Sequence, residues 1–318
     1  EDVMYRIGVD LGGTNIVAGV VDEFYKIVGK GKMPTACPRP AVEILADVAK
    51  AVEMAIEDAG ITLADVSSIG IGTPGSVEKH FGIIQYANNL GFSNVPARKI
   101  LQSHFDKPIY IENDANCAAL GEAKAGAGGG VDNFAAITLG TGVGSGIIVD
   151  GKILSGCNGA AGEMGHMVIC ADGEPCTCGR KGCWEAYSSA TALIRETKKS
   201  MLENKDSKMW EIVGGDIDKA NGKTAFDAMR AGDEAGKKLV DWYVHYLSIG
   251  ITNVINTFQP KMLCVGGGIG YEREYLLEPV RKIVYQERYS VYSEEQTTIC
   301  SAKLGNDAGV IGAALLDE

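Results

Sequence analysis

Asp10-Leu11-Gly12-Gly13-Thr14-Asn15 stands between two apolar runs, residues 6–10 and 17–22, and this order of strand, tight turn and strand decides the fold class. A third run at 25–32 continues the meander. Residues 41–58 then carry apolar side chains at helical spacing up to Gly60, a residue suited to a left-handed C-cap. Residues 68–72 and 108–111 read as further strands, and 115–124 as a helix that runs into the glycine-rich stretch 125–130, the candidate hinge. The opening pattern then returns as a strand at 134–139, a TGVGSG turn at 141–146, a strand at 147–149 and a short return through Asp150-Gly151. A β-turn-β unit that occurs twice points to two related α/β lobes rather than one dinucleotide-binding sheet. Downstream, 233–258 reads as a long helix in which Leu239, Trp242, Tyr246, Ile249 and Val254 share a face. A strand at 261–265 closes on Gly266-Gly267-Gly268, and 307–316 is the last helix.

Composition narrows the function classes. The 318 residues are 46% hydrophobic and 22% charged, enough for two lobes with cores of their own. A formal net charge of -11 argues against a general polyanion-binding surface, so nucleic acid and anionic membranes are excluded as partners. No stretch approaches the roughly 20 apolar residues of a membrane span. The start, EDVMYRIGVD, lacks the basic and apolar regions of a secretory signal, which places the chain in the cytoplasm. Met4 reads as the natural start, preceded here by Glu1 to Val3.

Three places set glycine and a small hydroxyl directly after an apolar strand: Asp10, Gly12, Gly13, Thr14 and Asn15 in the first, Gly140, Thr141 and Gly142 in the second, Gly267 and Gly268 in the third. Such turns let a backbone approach a phosphate and aim N–H groups at it, and each lies at a strand end, where ligands gather in open α/β sheets. No GxxxxGK[ST] sequence is present, and the first turn leads into a strand rather than a helix, so neither phosphate fingerprint of that kind applies. Asn113-Asp114, just past a strand and at a helix start, suits either an N-cap or a carboxylate that accepts a proton. Of nine cysteines, Cys176, Cys178 and Cys183 crowd into one loop, ten residues after His166. Three thiolates and an imidazole complete a tetrahedral shell of the structural kind, with disulfide or free thiols as the alternatives; the other six cysteines read as reduced thiols.

In this order, DLGGTN, LGTGVGSGIIVDGKI, GAAGEMGH, CTCGRKGCWE and VGGG resemble the ROK family of sugar kinases and repressors, most closely its bacterial glucokinases, over nearly the whole chain. The resemblance implies the actin-like, ribonuclease-H-related ATPase fold, duplicated, with ATP and sugar in a cleft between two lobes. The lobes are expected at 1–118, with 302–318 packing back on it, and at 119–301. Because DLGGTN begins at residue 10, no winged helix of the repressor kind is expected ahead of it. The same resemblance makes Asp114 the general base and Asn113, Asn89, Glu163, His166 and Glu185 the sugar-binding residues. It implies that His166, Cys176, Cys178 and Cys183 hold a structural zinc. Asp10 is then the candidate for the magnesium that accompanies ATP, Thr14 and Thr141 with their glycines for the phosphates, and Gly267 and Gly268 for the nucleoside. The expected reaction is phosphorylation of a hexose at its 6-hydroxyl, glucose first, with N-acetylmannosamine, fructose, mannose or allose kinases and a sugar-sensing regulator as alternatives. Family members are commonly dimers, so a homo-oligomer is expected.

Overall fold

The computed structural model describes residues 4–318. Glu1, Asp2 and Val3, read above as preceding the natural start, lie outside the described residues. The first sheet contains β1 (Tyr5–Leu11), β2 (Asn15–Val21), β3 (Ile27–Pro34), β4 (Val66–Thr73) and, after a three-stranded excursion through β5 (Ser76–Glu78), β6 (Ile83–Ala87) and β7 (Phe92–Val95), β8 (Ile109–Asn113). Its order is β3-β2-β1-β4-β8; β1, β2 and β3 pair antiparallel, while β1-β4 and β4-β8 are parallel. The second sheet uses β9 (Phe134–Leu139), β10 (Val143–Val149), β11 (Lys152–Ile153), β12 (Met262–Gly266) and β13 (Thr298–Ser301) in the order β11-β10-β9-β12-β13. Numbered within each set, both orders read 3-2-1-4-5. The duplication seen in the turns is therefore a duplication of topology.

Contacts divide the described residues into two compact units, one of residues 4–136, 146–162 and 303–318, the other of 137–145 and 163–302. The glycine-rich stretch 125–130 belongs wholly to the first unit, and it is tied rather than loose. The buried Glu122 carboxylate accepts N–H bonds from Ala127 at 2.8 Å, Lys303 at 2.9 Å and Leu304 at 2.7 Å, while Gly128 and Gly130 cap the carbonyls of Glu122 and Ala123. The hinge expected there is thus a fastened helix end. The turn read at 141–146 is also shorter than expected, because pairing in β10 begins already at Val143.

In the first unit, Ile7, Val9, Leu11, Ile69, Ile71 and Ile111 form the buried side of the sheet with Ile44, Leu45, Val48 and Val52 of the helix Ala41–Ala59. That helix ends where Gly60 adopts φ 67°, the expected left-handed cap. On the opposite side the helix Ala308–Ala314 approaches at main-chain contact. A Cβ on Gly8 would lie 1.8 Å from the Val310 carbonyl oxygen, and one on Gly312 would lie 1.7 Å from the Cys117 carbonyl oxygen in the helix Asp114–Lys124. Only glycine permits this approach.

In the second unit the helix Glu234–Phe258 is capped by Asp233, whose carboxylate accepts the Gly236 N–H at 2.6 Å. Its buried face runs through Leu239, Tyr243, Leu247, Ile251 and Val254. Trp242, Tyr246 and Ile249, expected on that face, lie on its flank. The reason is aromatic packing from the side: Tyr187 stacks on Tyr246 with ring centroids 4.4 Å apart. Trp184, fully buried, lies so near Gly250 that a Cβ there would come within 1.9 Å of the indole.

Gly312→Ala is expected to lower unfolding stability by about 2–4 kcal/mol, because the added methyl meets backbone that cannot yield. Gly60→Ala, with open space around it and only an unfavourable φ, should cost about 1 kcal/mol. Urea denaturation of both variants measures the difference.

Candidate active site and metal centre

Asp10 and Asn113 stand at the carboxyl ends of the parallel neighbours β1 and β8, with β4 between them. Asp10 pairs in register with Gly72, and Gly72 with Glu112, so the middle strand offers no side chain at that level. The gap admits the start of the next helix: a Cβ on Gly72 would be 3.5 Å from Asp114 Cα and 3.2 Å from the Cys117 sulfur. Burial is the main cause that lifts Asp10 to about 6, with the nearby Asp114 charge adding to it. Burial raises Asp114 as well, partly offset by the Ala115 N–H, which donates to its carboxylate at 2.8 Å. Two carboxyls at one strand-end level, each shifted toward neutrality, are suited to exchange protons or to gather a cation.

Asn113 resolves the choice left open between cap and ligand in a particular way. Its side-chain oxygen accepts the N–H groups of Ala115 and Asn116 at 2.9 and 3.2 Å, and its amide donates to the Gly75 carbonyl at 3.1 Å. It is therefore the helix cap, and Asp114 is the first helical residue. Beneath them the buried Glu112 carboxylate accepts from the Asn113 N–H at 2.8 Å and from the Asn116 amide at 3.0 Å and is ion-paired with Lys79.

Gly12 to Thr14 form the turn between β1 and β2. Gly13, Thr14 and Asn15 are exposed, and Asn89, on the short helix Asn88–Leu90, comes within 3.4 Å of where a Gly13 Cβ would sit. The side chains of Thr14, Asn15 and Asn89 are open to solvent, whereas the turn's own carbonyls are held. Thr35, fully buried, donates its hydroxyl to Gly12 O at 2.6 Å and its N–H to Thr14 O at 2.9 Å. Sequence reading missed Thr35; a threonine after Pro34 carries no local signal.

The second unit carries the remaining predicted residues. Leu139 ends β9 against Gly267, whose Cβ would fall 2.5 Å from the Leu139 N atom, so the turn Gly140–Thr141–Gly142 and the Gly267-Gly268 segment are neighbours. Gly267 has φ 79° and opens a short helix, Gly267–Gly270, instead of extending the strand. The turn is fastened by Ala190 N–H to Gly140 O and the Thr191 hydroxyl to Thr141 O, both at 2.8 Å, two further contacts sequence reading missed. Glu185 Oε2 accepts the Val143 N–H at 3.0 Å, while its Oε1 accepts from the Thr177 hydroxyl at 3.3 Å. Glu163 is exposed and leads into the turn Met164–His166.

His166, Cys176, Cys178 and Cys183 converge, their ligating atoms all within 4.8 Å of one another. Cys178 and Cys183 sulfurs are 3.7 Å apart, and Cys176 sulfur is 3.6 Å from His166 Nδ1. A disulfide needs about 2.05 Å between sulfurs. A tetrahedral metal at about 2.3 Å from sulfur and about 2.0 Å from nitrogen requires spacings of roughly 3.8 and 3.6 Å, so the donor set fits a metal and not a disulfide. The loop is shaped for it: Val168 bridges Cys183, Pro175 bridges Lys181, and Cys176 N–H binds Arg180 O at 2.9 Å. Trp184 anchors the segment from within, its indole N–H donating to Tyr246 O at 3.1 Å.

A duplicated 3-2-1-4-5 α/β fold, with glycine turns and acids at its strand ends, is the architecture of the actin-like ATPases and their sugar-kinase relatives. Residues 6–318 match the ROK family, and the chain belongs to it. It is 36% identical over 317 residues to a glucokinase of Halalkalibacterium halodurans, covering 98% of this chain and 94% of that protein. Among solved structures, a ROK glucokinase of Streptomyces griseus in complex with glucose and AMPPNP is similar with a TM-score of 0.81 and 35% identity, covering 98% of each chain. A ROK hexokinase of Thermus thermophilus gives a TM-score of 0.83 at 32% identity, covering 98% of this chain and 97% of that one.

The chain is expected to bind one equivalent of a thiophilic divalent metal: cobalt should develop the charge-transfer and visible bands of a tetrahedral thiolate site. Cys183→Ser should lose most of that absorbance, since one of four donors weakens.

Proposed function

We infer that this chain is an ATP-dependent hexose kinase that transfers the γ-phosphoryl group to the 6-hydroxyl of glucose. The observation that carries the reading is the pair of carboxyls with raised pKa, Asp10 near the end of β1 and Asp114 at the helix start just after β8, in a fold whose relatives include glucokinases. Asp114 accepts the proton of the 6-hydroxyl as that oxygen attacks the γ-phosphorus and the bond to the ADP oxygen breaks. Its raised pKa suits the task, because a base titrating nearer neutrality takes the proton more readily. Magnesium arrives with ATP and supplies charge neutralisation at the phosphates, with Asp10 as the residue to hold it. Main-chain N–H groups of the turns at Gly12–Thr14 and Gly140–Gly142 bind phosphate, with Gly267 and Gly268 beside the nucleoside.

Asn89, Glu163, His166 and Glu185 are assigned to the sugar. Asn113 contributes through its cap, which sets the direction of Asp114, and offers the sugar only an amide already donating to Gly75. The metal of the His166, Cys176, Cys178 and Cys183 site is zinc: a closed Cys₃His shell has no open position for chemistry, and its work is to hold the loops that carry Glu163 and Glu185. With Nδ1 facing the cluster, His166 keeps Nε2 for a sugar hydroxyl. A thiolate metal site and an ATP-dependent reaction support a cytoplasmic location.

A coupled ADP-release assay across glucose, mannose, fructose, allose and N-acetylmannosamine tests the assignment. Asp114→Ala should lower kcat by about 10²–10⁴-fold with glucose. Sugar-independent ATP hydrolysis, or full activity in that variant, would sink it. Both acids must be ionised to act and both are raised, so kcat/KM should fall as pH drops through about 6, the value for Asp10. Folding raises Asp10 from 3.8 to about 6, so the cost of its charge builds up between those pH values and is essentially complete at pH 7; Asp10→Asn should then raise stability at pH 7 by up to about 3 kcal/mol while abolishing turnover.

A further inference from the structure

Val143 sits where the Gly140–Gly142 turn becomes β10, and both its N–H and its carbonyl lie against residues next to or near the metal ligands. Its N–H is taken by Glu185 Oε2 at 3.0 Å. Its carbonyl lies under Gly165, the residue before His166, where a Cβ would come within 2.2 Å of the oxygen. The other Glu185 oxygen accepts from the hydroxyl of Thr177, which stands between Cys176 and Cys178. Trp184, fully buried between Cys183 and Glu185, fixes the main chain from which the Glu185 side chain reaches out. Gly142 leaves that carboxylate its room, since a Cβ there would meet Glu185 Oε2 at 2.2 Å.

We propose that Glu185 is a positioning residue for the turn at Gly140–Gly142, so that the metal loop, acting through Thr177 and Glu185, sets the affinity for ATP as well as that for sugar. The proposal rests on the reading of this turn as phosphate-binding. Its physical content is rigidity. A turn that presents N–H groups to phosphate binds well only if their directions are set beforehand; Ala190 and Thr191 hold this turn by its Gly140 and Thr141 carbonyls, and Glu185 holds the N–H of Val143, the residue that follows it. When the metal loop loosens, Thr177 and Gly165 move away from Glu185 and Val143 together, and the N–H groups of the turn lose their common orientation.

The test compares metal-loaded wild type, metal-loaded Thr177→Val and Thr177→Ser, and chelator-treated wild type. Thr177→Val removes the hydroxyl without touching a metal ligand, so bound metal should remain at one equivalent. Amide exchange of the peptide containing Val143 should accelerate severalfold, and the KM for ATP should rise about three- to tenfold, the effect of one hydrogen bond to a carboxylate. Thr177→Ser should restore both, and chelation should exceed the effect of Thr177→Val. Unchanged exchange at Val143 in Thr177→Val, with metal retained, overturns the link from the metal loop. Accelerated exchange with an unchanged KM for ATP overturns the proposal too, through the phosphate reading of the turn on which it rests, since the link itself would then be intact.

Discussion

The main-chain contact between the helix Ala308–Ala314 and the first sheet is the constraint on which the acidic end of that unit depends. Gly8 and Gly70 on the sheet and Gly121 and Gly312 on the helices bring main chain against main chain at the contact. The helix then lies close enough that Gly309 comes within van der Waals reach of the Asp10 carboxyl, where a Cβ would be 3.4 Å away. This closeness keeps water from one side of Asp10 and raises its pKa. Residues more than 290 positions apart in the chain thus create the electrostatic state of the first strand's last acid. Loops could not do this, because a mobile cover admits water and lets the carboxylate ionise freely.

The second unit reaches an equivalent rigidity by other means. Its turn at Gly140–Gly142 is short, glycine-rich and without packing of its own, and it is held by hydrogen bonds from the helix Ala190–Glu203 and, just after it, from Glu185. The segment carrying Glu185 is held in turn by the buried Trp184 and by the cluster of three cysteines and a histidine. A loop of such polarity has little apolar surface to bury, and a metal held by those four donors would substitute for a core. In the first unit Thr35 performs the corresponding service for Gly12 and Thr14 from inside the protein, with a single hydroxyl.

Both halves show the same arrangement around a general difficulty. Groups that are to face a ligand cannot also satisfy themselves internally; here Thr14, Asn15 and Asn89 are open to solvent while the groups just behind them are saturated. Glu112, paired with Lys79 and hydrogen-bonded to Asn113 and Asn116, is the clearest case. It stands one residue behind the cap that directs Asp114, and its burial makes it costly to leave unpaired.

What the sequence determined by itself is local or repeated: two β-turn-β units, the glycine turns, the helix ending at Gly60, the convergence of His166 with the three cysteines and the motifs that mark the family. Each rests on dihedral freedom, periodicity or spacing over fewer than about 20 residues. Only the tertiary structure decided which polar groups behind the site are spent and on what. Asn113 became the cap and left Asp114 the freer acid, Glu185 divided its two oxygens between Val143 and Thr177, and Glu122 fastened the stretch that had read as a hinge. The flank of the long helix, where Trp242 and Tyr246 lie, was likewise settled by Tyr187 packing from the side. The physical reason is separation: Glu122 and Lys303 are 181 residues apart, Glu185 and Val143 are 42 apart, and nothing in either segment alone says that folding will place the carboxylate of one on the amide of the other.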